Sequence, residues 1–159
     1  MQEPKPFDKK MSKKWYSYKH NVAALRYEIA LGIRSGDIVW ANGPFPAGSK
    51  NDWQIFKSGL KEMLDPDERV EADSGYSAGD PEFCLTPKSV WHPAEKDDLR
   101  NKLRARQETV NTRLTNFQAM SVVWRHGIER HALAFRAVLV IVQIQIENGN
   151  PLFEIENYK

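Results

Sequence analysis

Between Leu25 and Ile33 the chain alternates with a period of two, Leu25, Tyr27, Ile29, Leu31 and Ile33 against Arg26, Glu28, Ala30 and Gly32. That period belongs to a strand with one buried face. Ser35-Gly36-Asp37 then supplies a turn and Ile38-Val39-Trp40-Ala41 brings the chain back, so an antiparallel hairpin is expected. Gly43-Pro44-Phe45-Pro46-Ala47-Gly48 follows. Its prolines have no N–H to give to a ladder, so the pairing is expected to stop there in a loop.

Trp53, Phe56, Leu60, Met63 and Leu64 recur at helical spacing, with Ser49, Asn51 or Asp52 able to cap the first turn and Asp65-Pro66-Asp67 to end the helix. Arg69-Val70-Glu71-Ala72 next reads as a short strand that delivers Asp73 to its carboxyl end, just ahead of Ser74-Gly75. Carboxyl ends of strands are where α/β folds commonly place their chemistry. From Ser77 to about Pro93 no period is strong, and Pro81, Pro87 and Pro93 break any long element, so a surface connection is expected. Leu99, Leu103, Val110, Leu114 and Phe117 then share one stripe at about 100° per residue, an amphipathic helix. A second long helix spans Ile128 to Ile146, with Phe135, Leu139, Val142 and Ile146 toward the core and Gly149 and Pro151 as its stop. The tail from Pro151 to Glu156 suits a short edge strand or a clasp over the domain.

At 159 residues and 41% hydrophobic content the chain fits one domain with a sizeable core, and a net charge of +2 does not discriminate among partners. A single cysteine, Cys84, excludes an internal disulfide. The start, Met1-Gln2-Glu3-Pro4-Lys5-Pro6, lacks the pattern of a signal peptide. The longest apolar run, Ala137 to Val142, is far short of the roughly 20 residues that span a bilayer. The expectation is a soluble intracellular protein with no membrane partner.

Candidate chemistry is concentrated in a few places. Residues 1–20 form a basic arm in which Lys13, Lys14 and Lys19 are interleaved with Trp15, Tyr16 and Tyr18. Such a segment holds phosphates and stacks on bases, or is simply a solvated arm whose aromatics pack back on the domain. Arg104 and Arg106 belong to a strongly basic helix that also carries Lys96, Arg100, Lys102 and Arg113. Glu108 lies roughly opposite that helix's apolar stripe, where a solvated side chain is the default. Yet a strand-end Asp73 and a helical Glu108 are the kind of pair that shares hard divalent cations in phosphodiester chemistry. Zinc is disfavoured, because His126 and His131 turn away from each other on a helix and His92 with Cys84 lacks two ligands. No nucleophile elbow and no glycine-rich phosphate loop occur.

Four segments in order, Trp15-Tyr16-Ser17-Tyr18-Lys19, Gly43 to Ser49 with Asp52, Ala72-Asp73-Ser74-Gly75-Tyr76, and Arg104 to Asn111, resemble the nuclease domain of Harbinger-like DDE transposases. The resemblance covers nearly the whole chain. It implies a ribonuclease-H-like α/β (α+β) fold, a mixed sheet flanked by helices, over residues 21–159. It also implies an acidic cluster holding magnesium or manganese, with Asp73 the strand-end ligand, Glu108 the helical one and Asp52 a further acidic position. Taken alone, Asp52 is more simply a helix cap. Arg104, Arg106, Lys13, Lys14 and Lys19 would hold DNA phosphates.

The family's first catalytic Asp, in an Asp-Gly-Thr-like strand ahead of the proline-rich segment, has no counterpart here, and Asp8 does not replace it. The domain is therefore expected to lack its first strand and to resemble the carboxyl-terminal part of a transposase, weak or inactive as a nuclease. Its implied partners are DNA, a separate DNA-binding protein and a second copy of the chain. A chain still acting on DNA would work in the nucleus. The alternatives are a non-catalytic DNA-binding or protein-interaction module on the same scaffold, and an expressed fragment without a role of its own.

Overall fold

A hairpin covered on both faces organises the computed structural model, which describes residues 13–76, 82–86 and 95–155. Ahead of it, Tyr16–Ser17 (β1) pairs antiparallel with Val22–Ala23 (β2), so the described part of the arm holds a strand where none was expected. The arm is also tied to the body, because the Ala24 N–H donates to the Trp15 carbonyl at 2.8 Å and the Gly48 N–H to the Lys14 carbonyl at 2.9 Å.

The main hairpin joins β3 (Leu25–Leu31) to β4 (Ile38–Pro46). β4 therefore runs on through Gly43-Pro44-Phe45-Pro46, the segment expected to be a loop. Leu25 pairs with Pro46, Arg26 with Phe45 and Glu28 with Asn42, and the register shift between Arg26 and Glu28 absorbs Tyr27 as an irregularity. Proline is tolerated because both strands of a two-stranded sheet are edges. Gly43 is required at the irregularity, since its φ is +129° and a Cβ there would lie 2.8 Å from Tyr27 Cδ1 and 3.0 Å from the Arg26 carbonyl oxygen. Ile33 falls in the turn, which Gly32 and Asp37 close with a 2.8 Å bond.

The odd residues of β3 face the larger core. Tyr27, Ile29 and Leu31 pack with Ile38 against Val110, Leu114, Phe135, Val138, Val142, Ile146 and Leu152. These come from α2 (Glu95–Thr115), α4 (Ile128–Glu147) and the tail, while a short α3 (Gln118–Ser121) links the two helices. The Tyr27 and Phe135 rings stack at 3.7 Å, and the Tyr27 hydroxyl meets His131 Nδ1 at 2.7 Å. Gln143 of α4 grips the hairpin turn, accepting from the Ile38 N–H at 2.8 Å and donating to Asp37 Oδ1 at 2.9 Å. The tail is a clasp rather than a strand, with Leu152 buried.

The even face is covered as well. Ala30 and Trp40 pack with Trp53, Leu64, Val70, Ala72, Tyr76 and Phe83 around buried Phe56, Leu60 and Cys84. The helix expected from Trp53 to Leu64 is split into α1 (Asp52–Lys57) and a 3₁₀ turn at Leu60–Met63. Gly59 breaks it with a φ of −142° and a ψ of −98°. A side chain there would collide with Asn42, its Cβ lying 2.5 Å from that amide. Val70–Glu71 (β5) pairs in parallel with Cys84–Leu85 (β6), inside the segment expected to be plain connection. The class is α+β, and among the described residues the strands form three separate pairs. No helix among them is long and apolar enough to cross a membrane.

Candidate acidic site

Two of the three acidic residues singled out in the sequence come together. Asn51, not Asp52, caps α1, since Asn51 Oδ1 accepts from the Gln54 N–H at 2.8 Å and Gln54 Oε1 from the Asn51 N–H at 3.0 Å. Asp52 is thus the first helical residue, and its carboxylate turns to Arg26 Nη1 at 3.0 Å. Asp73 lies two residues beyond the end of β5 and folds back so that Oδ1 accepts from the Gly75 N–H at 2.7 Å. A Cβ placed on Gly75 would sit 2.9 Å from Asp73 Oδ1 and 3.1 Å from Asp52 Oδ2, so those oxygens are no more than about 6 Å apart, the sum of the two distances. Only the missing side chain of Gly75 leaves that gap open.

A third carboxylate lies near this pair. Glu28 on β3 is only 7% exposed, with Oε2 accepting from Trp40 Nε1 at 2.9 Å and Oε1 buried without a hydrogen-bond partner. Burial pushes its carboxyl above the usual carboxylate range, the Trp40 and Leu60 N–H groups oppose this, and the negative charge of Asp52 adds to it. Tyr76, edge-on to Phe56 at 5.9 Å, is pushed well above the usual phenol range by burial and then by Glu28, Asp52 and Asp73. Three carboxylates from β3, α1 and the end of β5 thus act on one phenol. Nearby, burial pushes the Cys84 thiol up to about 11, which leaves it unreactive at neutral pH.

Sequence reasoning passed over Glu28 because its place in the alternation belongs to the solvent face of a one-sided strand. Trp40 was the available signal, since a tryptophan paired across from Ala30 on that same face calls for cover.

The other residues are dispersed. Glu108 is exposed on α2. The helix is anchored toward β5 by Arg100, whose Nε reaches Glu71 Oε2 at 3.3 Å, and Glu108 lies roughly 12 Å farther along its axis. Among the described residues no group of three His, Cys, Asp or Glu side chains could hold a metal ion. Arg106, expected on phosphates, is instead 2% exposed, donating to the Ile33 carbonyl at 2.6 Å and to the Phe153 carbonyl. Arg104, Lys13, Lys14 and Lys19 are exposed. A surface depression lined by Arg113, Asn116, Phe117, Gln145 and Asn150 includes none of the acidic residues.

No known protein family, curated protein or solved structure matches this chain. The chemistry has to be judged on the donor set itself. Asp52 and Asp73 fit a magnesium-class ion, which keeps most of its waters and accepts one or two carboxylates plus substrate oxygens. They do not build a closed protein cage.

Proposed function

We propose that the chain is a transposase-derived DNA endonuclease or strand-transfer domain of the DDE type with a ribonuclease-H-like ancestry, dependent on magnesium or manganese. The observation that supports this is the convergence of Asp52 and Asp73 on the side-chain-free space at Gly75. Such an ion, when bound, supplies Lewis-acid polarisation of a phosphoryl oxygen and a more acidic water. Asp52 and Asp73 would bind it, and Glu28, whose carboxyl burial raises above the usual carboxylate range, would border the site on its buried side. Exposed Arg104, Lys13, Lys14 and Lys19 would take up phosphates and orient DNA, and such work would lie in the nucleus. Because Glu108 stands apart from the pair, cleavage by this chain is expected to be weak but dependent on manganese; a ligand set held loosely costs orders of magnitude.

The second reading is a non-catalytic DNA-binding or protein-interaction module, favoured by the Arg26–Asp52 ion pair, which already neutralises half of the acidic pair. Manganese-dependent nicking of supercoiled plasmid separates the two. Nicking abolished by both Asp52→Asn and Asp73→Asn supports the nuclease, whereas a gel shift without nicking supports the module. Nicking that survives both substitutions would remove the acidic pair from the chemistry.

A further inference from the structure

The two long faces of α4 are both apolar, and only one is used by the fold. His131, Phe135, Val138, Val142 and Ile146 are buried on the inner face. On the outer face Leu133 is 64%, Val140 56% and Ile144 51% exposed, with Ala137 exposed between them. At about 100° per residue these four share a stripe about 60° wide, and their 4-3-4 spacing is that of alternate heptad core positions. Extending the stripe one step each way gives Arg130 at one end and Glu147 at the other, both exposed.

This stripe reads the same in reverse. About the point midway between Val138 and Leu139, Leu133 is matched with Ile144, Ala137 with Val140 and Arg130 with Glu147. We infer that α4 pairs with α4 of a second copy of this chain, antiparallel and about a two-fold axis at that midpoint. Leu133 then packs on the second copy's Ile144, and Ala137 on its Val140. The small Ala137 lets the helices approach closely at the centre. Arg130 meets Glu147 at both ends, where Glu147 Oε1 now accepts only from Gln143 within the helix, at 2.8 Å, among the described contacts.

Charge selects the direction. A parallel pair would set Arg130 against Arg130 and Glu147 against Glu147, so the like charges reject it while the antiparallel pair satisfies both ends. An isologous interface of this kind closes on itself and does not polymerise. The surface is one helix face, so the association belongs to the weak class, with a dissociation constant of about micromolar order.

Sedimentation equilibrium of the full chain over about 5 to 200 μM, a range set to bracket that affinity, tests the inference. The weight-average mass is expected to climb from 18.3 kDa toward twice that value. Val140→Lys should hold the protein at monomer mass with an unchanged circular dichroism spectrum, because Val140 touches solvent. Arg130→Glu alone and Glu147→Arg alone should each weaken dimerisation at least about tenfold, a cost typical of like-charge juxtaposition. The double variant Arg130→Glu/Glu147→Arg should restore it. A monomer throughout the range, a dimer indifferent to Val140→Lys, or charge swaps without rescue would each overturn the antiparallel pair.

Discussion

Arg106 decides between two accounts of the basic helix, because a guanidinium that clamps the fold is not available to phosphate. It joins three segments that are distant in sequence, donating from α2 to the Ile33 carbonyl in the hairpin turn and to the Phe153 carbonyl in the tail, over whose ring its Cζ lies 5.6 Å away. Arg106→Ala removes two charge-assisted hydrogen bonds worth about 1.5–3 kcal/mol each and a cation–π contact worth about 0.5–1 kcal/mol. Against this stands the cost of keeping the group charged indoors, visible as burial lowering its pKa. The net expected loss is about 3–5 kcal/mol, which for a domain of this size lowers the melting temperature by about 10–15 °C. Arg106→Lys, with a compact point charge that cannot serve both carbonyls, should lose about 1–2 kcal/mol. Differential scanning calorimetry reads the first effect, and hydrogen exchange should show the tail at 151–155 opening early. If Arg106→Ala shifts melting by less than about 3 °C while DNA affinity collapses, the clamp is wrong and the guanidinium works on phosphates.

Glu28→Gln should stabilise the protein at neutral pH by on the order of 1 kcal/mol, since it removes a buried charge with an orphaned oxygen while keeping an acceptor for Trp40. A raised folded-state value means the wild type has this stability in full below the ordinary value of 4.5 and loses it as pH climbs through the raised value; urea denaturation from pH 4 to 8 should show that slope flattened in the variant, and an unchanged slope would place the carboxylate in water. His131 has the opposite sign: burial lowers its pKa, so stability is full above the ordinary value of 6.5 and declines as acid protonates the unfolded chain first. In His131→Phe the decline between pH 6.5 and 5 should be shallower, checked by melting temperature at each pH. Gly75→Val should push Asp52 and Asp73 apart and weaken terbium binding, read by luminescence sensitised through Trp53 and Tyr76, at least about tenfold without lowering the melting temperature. Equal terbium affinity in variant and parent would separate the cation from this gap.

How much of this could be read from the chain depended on whether a signal was local. The hairpin, both long helices and their inward residues Val110, Leu114, Phe135, Val142 and Ile146 were legible, since each declares itself by a period of 2 or 3.6 over several turns. β5 was legible as the strand read over Arg69 to Ala72, but β1, β2 and β6 are two residues each, too short to carry a period. The extension of β4 across two prolines was hidden because it depends on the sheet having only edge strands. Asp52 and Asp73 were picked out, but their meeting at Gly75 is a tertiary fact, and the burial of Glu28 and Arg106 follows from α1, β5 and the tail closing over them. A charged residue's exposure cannot be read from its own element when the cover comes from another part of the chain.

The Arg26–Asp52 ion pair bears directly on whether the acidic pair is open to a cation. Both side chains are substantially exposed, at 30% and 42%, and pairs of that kind contribute about 0.2–1 kcal/mol. That is a weak lock. Two carboxylates no more than about 6 Å apart repel each other, and a divalent charge relieves that repulsion as well as replacing the arginine. Arg26 need not be expelled to make room, because its Nη1 also donates to the Lys50 carbonyl at 2.9 Å and keeps that anchor when Asp52 rotates away. On the proposed reading, Arg26 would hold Asp52 in place in the absence of a cation and, still anchored on the Lys50 carbonyl, would stand beside a phosphate if Asp52 and Asp73 held a cation that carries one.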